Sequence, residues 1–220
     1  MEKKESQDKL FSQIKPPSKN KLMGFFLILL KFTVGICLLP IVYGVSLCFA
    51  RELIKLEPAV IHSFIWGIAG FLVVYLFIWE PAVLYKKGQR ILEVSFRFFA
   101  PLVKLAPFVL PIYTILIFLI YFILVSFMDL RNLLAVFLFG AGFSLALHLV
   151  FSARTLRSRQ DDFLKANYIF GFSWIYILDV FLLALFFNLA FENFSILYFL
   201  NGSCQLAKNI YQALFSQMFL

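Results

Sequence analysis

The run Tyr168–Phe191, YIFGFSWIYILDVFLLALFFNLAF, decides the fold. As a helix its 24 residues extend about 36 Å, enough to cross a hydrocarbon core of about 30 Å with some tilt. One acid, Asp179, stands at its middle. At mid-bilayer an acid costs about 2.5–3.5 kcal/mol on the insertion scale, and each Leu, Ile, Val or Phe returns about 0.3–0.6 kcal/mol. The run holds 15 of these four residues, so insertion wins. It leaves an ionisable group at depth that must face protein or trapped water.

The rest of the chain agrees. It has 220 residues, 62% hydrophobic and 19% aromatic, with a mean hydropathy of +0.90. The apolar residues lie in long blocks, without the period that separates a wet face from a dry one. Strands of about ten alternating residues, which a membrane β-barrel needs, are absent from the pattern. The expected class is all-α: a polytopic transmembrane helix bundle of about five spans with amphipathic interfacial helices, its partner the lipid bilayer. The net charge of +8 is read as the lysine and arginine bias of cytoplasmic loops, not as a nucleic-acid surface. Cys37, Cys48 and Cys204 are scattered, which suits small apolar residues better than a disulfide framework or a metal site.

Residues 1–21 form a basic, polar tail with Pro16-Pro17, expected to be disordered, cytoplasmic and uncleaved. Span one lies within 22–50 and contains Pro40 and Lys31. The lysine either snorkels to the headgroups or pairs with an acid inside the bundle. Span two, 60–79, carries Ser63, Gly67 and Gly70 on one face, small enough for a neighbouring helix to come close. Span three, 108–128, turns tightly at Asp129–Asn132 into span four, 133–151, so the two are expected to be antiparallel neighbours. Gly140, Gly142 and Ala146 give span four a second small-residue surface. Span five is the opening run, 168–191.

Two further segments read as surface helices. In 86–104, Lys86, Arg90, Arg97 and Lys104 share one helical face opposite Ile91, Leu92, Phe98, Phe99 and Leu102, the pattern of a helix lying in the interface. In the tail 193–220, Leu206, Ile210, Leu214 and Met218 are four apart among amides, which predicts an amphipathic surface helix and not a sixth crossing. Of the twenty lysines and arginines, fifteen fall in the N-terminal tail, the 80–106 connection and the 152–167 loop. Those segments alternate with the poorly charged ones, so the orientation is N-terminus in and C-terminus out, in an inner membrane.

The sequence offers little chemistry. It lacks H-E-x-x-H, G-x-S-x-G, a Walker A loop and any Cys/His cluster at metal-ligand spacing, so no cofactor, metal or catalytic residue is expected. His62 and His148 are placed toward opposite sides, near the outer end of span two and the inner end of span four, as polar interhelix contacts. Asp179 is the exception. Either its carboxyl hydrogen-bonds Tyr176 or a neighbouring helix and locks packing, or it serves a proton or cation relay, for which Lys31, His148 and Glu192 are the available companions.

The stretch Phe77–Gly88, FIWEPAVLYKKG, holds the pattern W-x-P-x-x-L-Y-x-x-G. It resembles small multi-pass bacterial membrane proteins related in layout to site-2-type membrane metalloproteases, as do the segment His148–Asp162 and the run into span five. In those proteases H-E-x-x-H follows such a glycine, whereas this chain reads Gln89-Arg90-Ile91-Leu92-Glu93. The resemblance therefore implies a relative without the zinc site, since a zincin needs two imidazoles one turn apart and a glutamate to activate water. The expected function is non-enzymatic: a membrane scaffold or partner-binding subunit, joined to a membrane-protein partner or a homo-oligomer through spans two and four and the interfacial helix. The alternative is a small transport or proton-coupled subunit using Asp179.

Overall fold

The computed structural model describes residues 19–78, 81–95, 109–127, 133–157 and 166–219. Among them the chain is all-α, with helices α1 Lys19–Leu53, α2 Pro58–Val73, α3 Ala82–Ser95, α4 Ile112–Val125, α5 Leu134–Arg157, α6 Ala166–Ala190 and α7 Ile196–Phe219. Pro58 starts α2, where its missing N–H costs nothing, and Val74–Ile78 continue it with a wider, π-helical turn. Four helical segments are long and apolar enough to cross a membrane: Met23–Leu53, Pro58–Phe77, Leu134–Arg157 and Tyr168–Ala190. The fifth expected crossing contains α4, whose 14 residues extend only about 21 Å.

The most extensive pairing is α2 with α5, which run parallel. It rests on two glycines. A Cβ on Gly67 would fall on the carbonyl of Phe139, and one on Gly142 would fall on the carbonyl of Phe64. Each helix thus presses backbone into backbone where the other has no side chain. Phe71 against Phe143 (5.3 Å between ring centres) and Tyr75 against Phe151 (5.9 Å) carry the contact onward. The small-residue faces expected to receive a partner are therefore largely spent inside this fold. Gly70 faces the Phe139 ring, Gly140 faces Ile117 of α4, Ala146 is buried and Ser63 bonds its own helix at the Ala59 carbonyl.

Around this pair α4 lies antiparallel to α5, as the short connection predicts, with Thr114 on Ser144 and Tyr121 on Phe137. Along α6, Gly171 meets Leu156 of α5. On its other side α6 runs parallel to α1, where Tyr176 and Ser46 share a hydrogen bond of 2.8 Å. A core of Phe49, Phe64, Phe118, Phe186, Phe187, Phe194 and Phe199, with Leu138, Ala141 and Leu145 of α5, joins all of these helices except α3.

Three expectations change. The helix expected over 86–104 starts at Ala82, ahead of Lys86, and buries Tyr85, Gly88 and Leu92 while Ile91 is exposed; Lys86 and Arg90 face outward, and Arg97 and Lys104 lie outside the described residues. Helix α5 runs six residues past 151 to Arg157, which puts His148 near mid-helix instead of near its end. Most consequential, α7 does not stand apart as a surface helix. It packs lengthwise and antiparallel on α1, with Gly202 beside Cys48, the Ser203 carbonyl against Gly44, and the Tyr211 hydroxyl bonded to the Cys37 carbonyl.

The glycine contacts are directly testable. Gly67→Ala and Gly142→Ala should each lower the stability of the detergent-solubilised protein by about 1–3 kcal/mol, the usual cost of overpacking. Gly140→Ala, whose Cβ would meet only the Ile117 side chain at 3.4 Å, should leave the unfolding temperature within error of the parent.

Candidate functional site

Helix α5 places Ser144, His148 and Ser152 four residues apart on one face, and all three are buried. The face is turned toward α3, α4 and α6. Asp179 of α6, 1% exposed, meets it: the His148 Nε2 lies 3.6 Å from the Asp179 Oδ2. Ser152 Oγ lies 3.5 Å from the same nitrogen and 3.1 Å from the Tyr85 hydroxyl of α3. The Val109 backbone also hydrogen-bonds the imidazole. A polar chain, Asp179–His148–Ser152–Tyr85, thus leads from the middle of α6 to α3. Burial pushes the Tyr85 phenol above its ordinary range, so at neutral pH it keeps its proton and can donate.

Tyr176 is not the partner of Asp179. A three-residue step turns a helix by about 300°, leaving the two side chains about 60° apart. That separation sends Tyr176 to Ser46 on α1 and Asp179 to His148 on α5. Lys31 is exposed on α1, and His62 is exposed on α2. Neither Asp179 carboxyl oxygen makes a hydrogen bond with the described residues, an unusual condition for a buried carboxyl group.

Serine, histidine and aspartate in contact suggest a hydrolytic triad, but the geometry is different. In a triad the serine and the acid bond opposite nitrogens of the ring, so that a proton passes through it. Here both meet Nε2. Ser152 is 1% exposed, and the void beside His148, between Tyr85, Gln89, Tyr113 and Ser144, measures about 10 Å³, room for one water at most. The arrangement suits holding a proton and fixing helix positions.

In the sequence, Tyr85 and Gly88 stand out only as the tyrosine and glycine of the W-x-P-x-x-L-Y-x-x-G pattern, and nothing singles out Glu52. Tyr85 and Gly88 are where α3 joins the bundle: Tyr85 through Ser152, and Gly88 because the Tyr113 ring occupies the space of its Cβ while the Tyr113 hydroxyl donates to the Leu84 carbonyl at 2.7 Å. Glu52 is buried, paired with Lys55, and accepts the Ser195 N–H at 3.2 Å. With Asn188, whose side-chain oxygen accepts the Ile196 N–H at 3.0 Å, it satisfies donors at the start of α7. No cluster of His, Cys, Asp or Glu able to hold a metal ion occurs among the described residues.

Comparison with protein-family models, with curated proteins and with solved structures gives no match for this chain.

Replacing Asp179 tests what the carboxyl group does for folding. Asp179→Leu should fold and gain up to about 1–3 kcal/mol, the usual cost of an unbonded buried polar group. Asp179→Asn, which keeps two polar atoms in the same place, should gain nothing. Loss of folded protein in the leucine variant, followed by size-exclusion chromatography in detergent, would show instead that the carboxyl group holds α5 to α6.

Proposed function

We propose that this chain is a non-catalytic, multi-pass inner-membrane subunit that binds another protein within the bilayer. In this reading α1, α2, α4, α5 and α6 each cross, with the N-terminus in the cytoplasm, and α7 returns alongside α1, which brings the C-terminus to the cytoplasmic side in place of the outward C-terminus expected from the charge count. The observation that carries it is the distribution of polar side chains. Among the described residues Asp179, His148, Ser144 and Ser152 are turned inward against their neighbours, while α3 (Lys86, Lys87, Arg90) and one face of α7 expose runs of polar groups, beside scattered exposed polar residues such as Lys31, His62 and Arg154 on the other helices. The α3 cations suit anionic headgroups, each contributing about 1 kcal/mol near the surface. The resemblance to relatives of site-2-type proteases, without their zinc ligands, fits the same proposal.

A second reading draws support from the 3.6 Å contact of His148 with Asp179: two ionisable groups meet at mid-bilayer, as a proton-coupled subunit would require. The two readings separate cleanly. Crosslinking in native nanodiscs should capture a stoichiometric protein attached through α3 or α7, and Asp179→Asn should leave that capture unchanged. Proton flux in proteoliposomes that vanishes in Asp179→Asn, with no protein captured, would replace the first reading by the second.

A further inference from the structure

The outward face of α7 conflicts with its position. Its start is held at the outer end of the bundle by Glu52 and Asn188, and Gly202 to Tyr211 then lie beside Cys48 to Cys37 of α1, within the apolar segment Met23–Leu53. Yet Asn201, Gln205, Lys208, Asn209, Gln212 and Ser216 are all exposed. At 100° per residue they occupy an arc about 100° wide, almost opposite the buried Phe199, Ser203 and Ala207. None of the four side chains Gln205, Asn209, Gln212 and Ser216 hydrogen-bonds another described residue. Lipid tails offer them no partner, and polar groups at this depth turn toward protein or water. The flank beside them behaves differently: a groove of about 680 Å³ between α1, α6 and α7, lined mainly by apolar residues such as Ile41, Phe181, Phe199 and Phe215, with Lys208 and Gln212 where it borders the polar face, suits acyl chains.

We propose that this face is the interface with a second copy of the chain, formed by two α7 helices lying parallel about a two-fold axis normal to the membrane. Three features select a second copy over another occupant. All copies insert with the same orientation, so paired α7 helices must be parallel and at equal depth, which sets each residue opposite its own counterpart. Gln205, Asn209, Gln212 and Ser216 follow one another at steps of four, three and four, the spacing of a two-helix seam. Amide and hydroxyl groups carry both donors and acceptors, so each can bond its own copy. Lys208, which cannot, sits at the edge of the arc on the groove side, where Gln212 of the seam also borders the groove.

The proposal rests on α7 lying in the bilayer, and one experiment tests the two claims apart. Single cysteines are placed at Asn209, Gln212 and, as a control on the groove side, Leu200, in a chain whose Cys37, Cys48 and Cys204 are serine. They are oxidised in native membranes and, in parallel, treated with a membrane-impermeant maleimide. Disulfide-linked dimers at 209 and 212 but not at 200, with 209 shielded from maleimide, are the expected result. In the native-cysteine chain, Gln205→Leu with Gln212→Leu should then weaken dimerisation by about tenfold or more in detergent, in line with the hydrogen-bonding contribution of polar side chains between membrane helices. Maleimide reaching 209 without crosslinking would show that α7 lies at the surface, overturning the membrane placement and the interface together. Shielding at 209 with no crosslink at 209 or 212 would overturn the second copy and leave the placement standing.

Discussion

The arrangement depends on how closely α2 and α5 approach. In lipid the hydrophobic effect does not draw helices together, because the surroundings are as oily as the side chains. Association relies on packing, and packing is best where the backbones themselves touch. Gly67 and Gly142 allow this at two places, each helix supplying the carbonyl that fills the other's vacancy. With α2 seated there, the remaining faces of α5 are free for α4, α6 and α3. Thr114, Asp179 and Tyr85 all reach α5 as a result.

From that seat follows the polar chain. Ser144, His148 and Ser152 lie on one stripe of α5 because successive side chains four apart stack along a helix. The stripe meets the acid of α6 at one level and the phenol of α3 at another, so the interior of the bundle is coupled to a helix at its surface. The same principle governs the other end: Glu52 is buried at the end of α1 and receives an N–H from the start of α7, joining first and last helices. In both places a costly buried acid sits where two or three elements meet.

The apolar blocks were legible because hydropathy is a local property: the 24-residue run around Asp179, with 15 Leu, Ile, Val or Phe, is apolar enough to insert whatever its neighbours do. The basic pattern of Lys86 and Arg90 was legible too, and both face outward. Of the small residues read on spans two and four, Gly67 and Gly142 are where backbones meet, but composition cannot say whether the approaching helix belongs to the same chain. His148 was placed too near a helix end because hydropathy falls at Ser152, whereas the backbone stays helical to Arg157. Tyr176 looked like the partner of Asp179 from helical spacing alone; which of two adjacent directions meets α1 and which meets α5 depends on the bundle.

The last helix shows the division most clearly. The sequence by itself determined that the chain is helical, that it is built of membrane-length apolar blocks, that one acid stands in the middle of one block, and that the 193–220 tail mixes apolar residues four apart with amides, since each of these is written in composition and in the 3.6-residue period. Only tertiary structure decided which face of each helix is covered. The Asp179–His148 contact, the burial of Glu52 and the seating of α7 along α1 all join residues distant in the chain. Glycines at 44 and 202, with nothing local to mark them, leave the gap into which α1 and α7 close. Burial is a property of pairs of surfaces, and a polar helix goes to whatever depth its apolar side can be matched.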